Sequence, residues 1–224
     1  MSLTVANVLP VSRCALVVVD VQNDYCDPDG ALAQAGGDMS DVAPAVDAAA
    51  ALLDVARAAG IPCLHVRTEH SDWTDTPEWL ARGDAGNLLD PRHHPIVRQG
   101  SWGAQPYRIS AAGDERVIVK HRYSGFAYTS LELSLRARGR HVVLLAGVTS
   151  DLCVRATGFD ALARGFQPVL VADATAATSR ARHDGAVNEF RSYLGPVVTV
   201  ADVRAAWSRP ATESAASAEP VARI

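Results

Sequence analysis

The feature that most restricts this chain is a run of six residues with no strongly polar side chain, Cys14-Ala15-Leu16-Val17-Val18-Val19. A strand with one wet face alternates apolar and polar residues. An unbroken β-branched run instead suits a strand buried on both faces, which is the situation of a central strand in a parallel sheet. His141-Val142-Val143-Leu144-Leu145-Ala146 and Gln167-Pro168-Val169-Leu170-Val171-Ala172-Asp173 read the same way. Shorter strands are predicted at Ile61–Arg67, Arg116–Lys120 and Pro196–Val200.

Between these runs the apolar residues recur at helical spacing. One helix is predicted from near Asp41 to Ala59, with Ala45, Val46, Ala49, Leu52, Leu53 and Ala56 on one face and Gly60 to close it. Others are predicted over 128–138 (closed by Gly139), 155–164, 178–194 and 201–208, with a short one at Pro77–Arg82. Val21–Gly30 reads as a polar turn. Strands alternating with helices imply an α/β fold, a three-layer αβα sandwich around a mainly parallel six-stranded sheet.

A chain of 224 residues, 48% hydrophobic, suits one domain with a substantial core. Residues 1–208 are assigned to that domain. Residues 209–224, rich in Ala, Ser, Glu and Pro, form a flexible tail or one bound to a partner. The net charge of −4 offers no basic face for nucleic acid, and no apolar run is long enough to cross a membrane. The N-terminus lacks a basic region followed by an apolar core, so no signal peptide is expected. Cysteines 14, 26, 63 and 153 form no close C-x-x-C pair. Reduced thiols in a cytoplasm are expected, rather than a zinc site or disulfide framework. Residues 69–113 hold Trp73, Trp79 and Trp102 among several Pro, Gly and His, and read as a lid or binding loop, or equally as a subunit contact. His93-His94 is a loop feature, and no histidine cluster has ligand spacing.

In open parallel sheets, ligands bind beyond the carboxyl ends of the strands. Asp20 ends the first strand, Lys120 ends the third, and Cys153 follows the fourth. Singly, each has a plain reading: Cys153 a packed core thiol, Asp20 a turn cap, Lys120 a cation paired with a surface acid. Together they describe a reaction centre. Helix amides and dipole near Cys153, and the charge of Lys120, favour a thiolate. Asp20 takes the thiol proton and returns it to a leaving amine, while amides at the start of the helix stabilise an oxyanion. These parts suit amide hydrolysis through a thioester.

Val19-Asp20-Val21-Gln22-Asn23-Asp24-Tyr25, Lys120-His121-Arg122-Tyr123-Ser124-Gly125-Phe126 and Gly147-Val148-Thr149-Ser150-Asp151-Leu152-Cys153-Val154 resemble the three signature blocks of the isochorismatase-like cysteine hydrolases. The order of elements is similar over about residues 10–205. The resemblance implies an Asp20–Lys120–Cys153 triad, a cis peptide at Val148–Thr149, and an oxyanion hole from the backbone amides of Thr149 and Cys153. It also implies a homodimer or homotetramer. Isochorismatases proper lack the cysteine, so Cys153 speaks against vinyl-ether cleavage. Nicotinamidases carry an Asp-x-His metal pair, which Gly36–Ser40 and Val66–Trp73 do not supply. No metal or cofactor is expected.

Asp20–Asn23, Gly100–Gly103 and Lys120–Phe126 are similar to the metal-independent branch of ureidoacrylate amidohydrolase, biuret hydrolase and N-carbamoylsarcosine amidase. The implied substrate is a small ureido, carbamoyl or primary-amide compound. Asn23 is expected to bond a ureido group, Tyr25 to wall the cleft and Trp102 to touch the substrate. Phe126 is assigned to the core and Gln22 to loop backbone. The alternatives are a nicotinamidase-like or natural-product amide hydrolase, and a non-catalytic protein whose cysteine is a redox thiol.

Overall fold

The computed structural model describes residues 8–81 and 95–208. Its sheet comprises β1 (Cys14–Val19), β2 (Cys63–Thr68), β3 (Arg116–Lys120), β4 (Val142–Val148), β5 (Gln167–Ala176) and β6 (Val197–Val198). All neighbours are parallel, in the order β3-β2-β1-β4-β5-β6. The fold is therefore the expected α/β sandwich. The order reverses direction between β1 and β4, so the crevice of a doubly wound sheet lies there. Val19 pairs with Gly147, so the two strands end level with each other.

β1 and β4 are buried along their whole lengths, as their uninterrupted apolar runs require. Alternate residues of β1 enter different cores. Cys14, Leu16 and Val18 pack with the Val42–Ala58 helix and with Val200–Trp207. Ala15, Val17 and Val19 pack against the other layer, whose helices Leu131–Ala137, Arg155–Ala163 and Arg180–Tyr193 contribute Leu131, Leu135, Ala161 and Phe190. Phe126 belongs to this second core. Thr199 and Asp202 form a capping box that starts Val200–Trp207, and Trp207 Nε1 donates to Leu9 O (3.0 Å).

Several boundaries differ from the expected ones for local reasons. The helix expected over 128–138 covers only Leu131–Ala137, because Tyr128 has φ 59°, outside helical backbone. β5 runs on to Ala176 through an irregularity against β4 between Leu145 and Gly147. The supposed turn after β1 contains a short helix, Asn23–Cys26, followed by Ala31–Gln34. The Pro77–Ala81 helix ends where the described residues do. His93, His94 and the tail from 209 lie outside them.

The residues after β1 fasten the 95–107 loop. Gln22 Nε2 donates to Thr68 O (2.8 Å) and Ala104 O (2.9 Å), while its Oε1 accepts from Thr68 N (2.7 Å). Asp24 Oδ2 accepts from Val97 N (2.6 Å). Gly103 lies so close to Asp24 that a Cβ there would fall 2.0 Å from its carboxylate oxygen.

At the opposite end of the sheet, Glu115 accepts from Arg57 Nε (2.7 Å) and Nη2 (3.0 Å) and meets His65 Nε2 (2.9 Å). Burial pushes its carboxyl up, but Arg57, the Ala112 amide and His65 outweigh this and hold it at about 2. A carboxyl depressed on folding stabilises the native state above its unfolded pKa, and this is lost as pH falls through the folded one. Glu115→Gln is expected to melt below wild type at pH 7. The gap should narrow steadily between about pH 4.5 and pH 2 in thermal scans, and a gap that ignores pH would contradict the assignment.

Candidate active site

The sheet order places the ends of β3, β2 and β1 in a row, with Thr68 in register with Lys120. Strands lie about 4.8 Å apart, so β3 and β1 are about 10 Å apart, a gap that one lysine side chain bridges. Lys120 Nζ reaches 2.8 Å from Asp20 Oδ2 and donates to Thr68 Oγ1 (2.5 Å). Thr68 Oγ1 in turn donates to Asp20 Oδ1 (2.9 Å). Nζ also lies 3.5 Å from Cys153 Sγ, as a hydrogen-bond donor to it. Asp20 and Lys120 are each 1% exposed and Cys153 6%. The three predicted residues therefore meet in one buried cluster. Asp20 takes φ 53°, and its amide donates to Val66 O (2.8 Å). Lys120 Nζ and Asp20 Oδ2 thus form a fully buried ion pair.

Cys153 is delivered from the neighbouring strand end. Gly147 has φ 104°, and a Cβ there would fall 2.0 Å from Val19 O, so only glycine lets β4 approach β1 at this level. The Val148–Thr149 peptide is cis. Ser150–Val154 then forms a π-helical turn before the Arg155–Ala163 helix, so Cys153 lies inside that turn rather than at the first residue of an α-helix. Thr149 O accepts from Leu152 N (3.2 Å) and Val154 N (3.1 Å).

The expected thiolate is not what this environment favours. Burial pushes the Cys153 thiol up to about 12; Lys120 opposes the rise and Asp20 adds to it. Burial likewise raises Cys14, Cys26 and Cys63 to about 12. What marks Cys153 out from these three free thiols is the buried Lys120–Asp20 pair beside it. Burial pulls Lys120 down, but the Asp20 carboxylate beside it works the other way, and the Lys120 pKa is raised.

A pocket of about 90 Å³ opens over the cluster. Tyr25 and Thr149 line it, and burial raises the Tyr25 phenol well above its usual value. Asn23 and Trp102 do not line it. The Asn23 Nδ2 donates to Trp102 O (2.9 Å), so both serve the loop anchor, and the Trp102 ring is half exposed. Thr68, His70, Trp79, Arg122, Asp151 and Arg182 line the pocket; Trp79 falls in the segment read as a lid or binding loop, and none of the six was given an individual site role from the sequence. Thr68 was findable, as the last residue of a strand beside the one ending in Asp20. The others come from loops and a helix whose facing depends on tertiary packing. Among the described residues, no three His, Cys, Asp or Glu side chains are grouped to hold a metal ion.

The Arg180–Tyr193 helix grips the turn that carries Cys153 with adjacent residues. Arg182 Nε donates to Asp151 Oδ2 (2.6 Å) at the pocket, and His183 Nδ1 meets Ser150 Oγ (3.1 Å) in the interior. Burial pulls the His183 pKa down, which favours the neutral ring.

Residues 14–202 match the family described as Isochorismatase domain. The chain is 33% identical over 210 residues to ureidoacrylate amidohydrolase RutB of Methylobacterium radiotolerans, covering 87% of this chain and 80% of that protein. Among solved structures it is similar to a cysteine hydrolase from Pseudomonas syringae pv. phaseolicola 1448A (TM-score 0.78, 25% identity, 89% and 94% of the two chains). It is also similar to N-carbamoylsarcosine amidase from Thermoplasma acidophilum (TM-score 0.65, 29% identity, 84% and 96%).

A raised thiol pKa and a clamped turn lead to a measurable expectation. At pH 7.5, iodoacetamide should alkylate Cys153 more slowly than it does a free cysteine. His183→Leu should loosen the turn and accelerate alkylation by roughly fivefold or more, the scale of one lost buried hydrogen bond. His183→Asn, which can still meet Ser150, should stay near wild type. Equal rates in all three proteins, read by mass spectrometry, would remove the clamp from the account.

Proposed function

As the chain belongs to the isochorismatase family, we propose that it is a cysteine-dependent amidohydrolase, cleaving a C–N bond of a small ureido, carbamoyl or primary-amide compound through a thioester. The observation that carries this reading is the buried Asp20–Lys120 pair, with Lys120 Nζ in contact with Cys153 Sγ. The thiol rests protonated, so attack and proton removal are coupled. As Sγ bonds to the substrate carbonyl carbon, the thiol proton passes to Asp20, and the carbonyl oxygen takes the negative charge. The backbone amides of Thr149 and Cys153 donate to that oxygen. The tetrahedral intermediate collapses, the C–N bond breaks, and Asp20 returns its proton to the departing nitrogen, which leaves as an amine or ammonia. Water then attacks the thioester, giving its proton to Asp20, and the acyl group departs as an acid while Sγ regains the proton.

Lys120 has a specific part in this cycle. Its charge keeps a carboxylate tolerable in a dry site and favours sulfur whenever sulfur carries negative charge. Thr68 holds Nζ and Asp20 Oδ1 together through one hydroxyl. The similarity to ureidoacrylate amidohydrolase and to N-carbamoylsarcosine amidase supports a ureido or carbamoyl substrate over a simple amide. Tyr25 forms part of the pocket wall.

Ammonia release can be followed over ureidoacrylate, biuret, N-carbamoyl amino acids, nicotinamide and simple amides. Cys153→Ala is expected to abolish it for every compound the wild type accepts. Asp20→Asn should lower kcat by roughly 10²–10⁴, the range of a lost general acid–base. Undiminished release from Cys153→Ala would rule out the thioester route, and inertness of the wild type towards the whole panel would rule out the substrate class.

A further inference from the structure

The inference here rests on the amidohydrolase reading and narrows its substrate. Consider the charges that line the pocket. Lys120 is opposed by Asp20. Arg182 is opposed by Asp151, with Nε 2.6 Å from Oδ2. His70 Nδ1 meets Asp75 Oδ1 (2.8 Å), and the charge of Asp75 is met by Arg98. Arg122 also lines the pocket, and its polar contacts are both to backbone carbonyls: Nη1 donates to Thr74 O (3.0 Å) and to His121 O (2.6 Å). Its guanidinium carbon lies 4.8 Å from the centre of the Trp79 ring, another pocket residue. Among the described residues, no carboxylate pairs with it.

Arg122 is thus a half-buried cation, fixed by two carbonyls and an aromatic face, with one edge of its fork unused. A guanidinium has five N–H donors, and Nη1 accounts for only two of them. The Nε and Nη2 edge matches a carboxylate bidentately. Clamping the cation beforehand means that little side-chain freedom is lost when an anion arrives. Arg122 follows the end of β3 by two residues and lines the same pocket as Cys153.

We infer that Arg122 is a specificity-determining residue that binds an acid group of the substrate, so that the preferred substrates are ureido or amide compounds carrying a carboxylate, and neutral amides are poor ones. A neutral substrate would enter the pocket without balancing this cation, whereas a monoanion would neutralise it.

The test compares a matched pair, 3-ureidoacrylate and 3-ureidoacrylamide, which differ only in the acid group. Wild type is expected to favour the acid in kcat/KM by roughly tenfold or more, the scale of a hydrogen bond to a charged group. Arg122→Met should collapse that ratio towards one, chiefly through KM for the acid, and Arg122→Lys should leave an intermediate ratio. Thermal melts of both variants check that they fold. A wild-type preference for the amide, or a ratio unmoved in Arg122→Met, would overturn the inference.

A second measurement needs no turnover. Maleate should slow iodoacetamide alkylation of Cys153 in wild type, while its neutral diamide should not, and the protection should vanish in Arg122→Met. If the wild type cleaves neither ureide, ureidoacrylate is excluded as its substrate while the wider amide panel still tests the amidohydrolase reading, and this protection decides the anion site separately. Absence of protection by maleate in the wild type would overturn the site.

Discussion

The pairing of Lys120 with Asp20 in a dry interior governs what the rest of the site can be. Each charge alone would cost several kcal/mol to bury, and removing one partner of such a pair typically destabilises by about 3–5 kcal/mol. The pair is tolerable because three strand ends sit level and Thr68, between them, bonds to both members. Two β-strand spacings set the distance that lysine must cover, and a shorter cation would leave Asp20 unpaired. The sheet is thus the ruler against which the charges are placed.

The same pairing explains why a thiol with a raised pKa is a sensible nucleophile here. A preformed thiolate beside Asp20 would set two negative charges together in a low-dielectric pocket, where like charges are strongly disfavoured. The site instead keeps one carboxylate and one thiol, with a single proton to be exchanged between them. Burial raises the thiols of Cys14, Cys26 and Cys63 as well, and among the described residues none of them has a carboxylate arranged with a lysine beside it. In the proposed mechanism, reactivity follows from the geometry around the sulfur.

The layered fold was legible because it depends on period and continuity: six apolar residues in a row at β1, and apolar positions of 42–58 that fall on one helix face. The strand-end residues Asp20, Lys120 and Cys153 were legible for the same reason, since the ends of strands can be read where apolar runs stop. What was not legible depends on contacts between distant segments. Asn23 has the chemistry of a substrate ligand, yet it is spent on the backbone of Trp102, because the loop carrying Trp102 must be held somewhere. The net acidity of Cys153 depends on how dry the pocket is, which no local pattern states. Arg122 and Arg182 are both arginines near functional segments, and only the structure shows that one has an acid beside it and the other two carbonyls.

Because the strand order reverses direction between β1 and β4, the proposed base and nucleophile belong to different halves of the chain. Asp20, Thr68 and Lys120 come from the first three strands, while Thr149, Cys153 and the helix that grips their turn come from the last three. Neither half holds a working set. The seam between β1 and β4 also adjoins the proposed reaction site, and Gly147 sits on it with β1 backbone where a side chain would be. Reactivity at Cys153 is therefore a reporter of docking between the halves. Two fragments divided between Lys120 and His141 would each be silent, and any chemistry regained on mixing them would measure how faithfully that seam had closed.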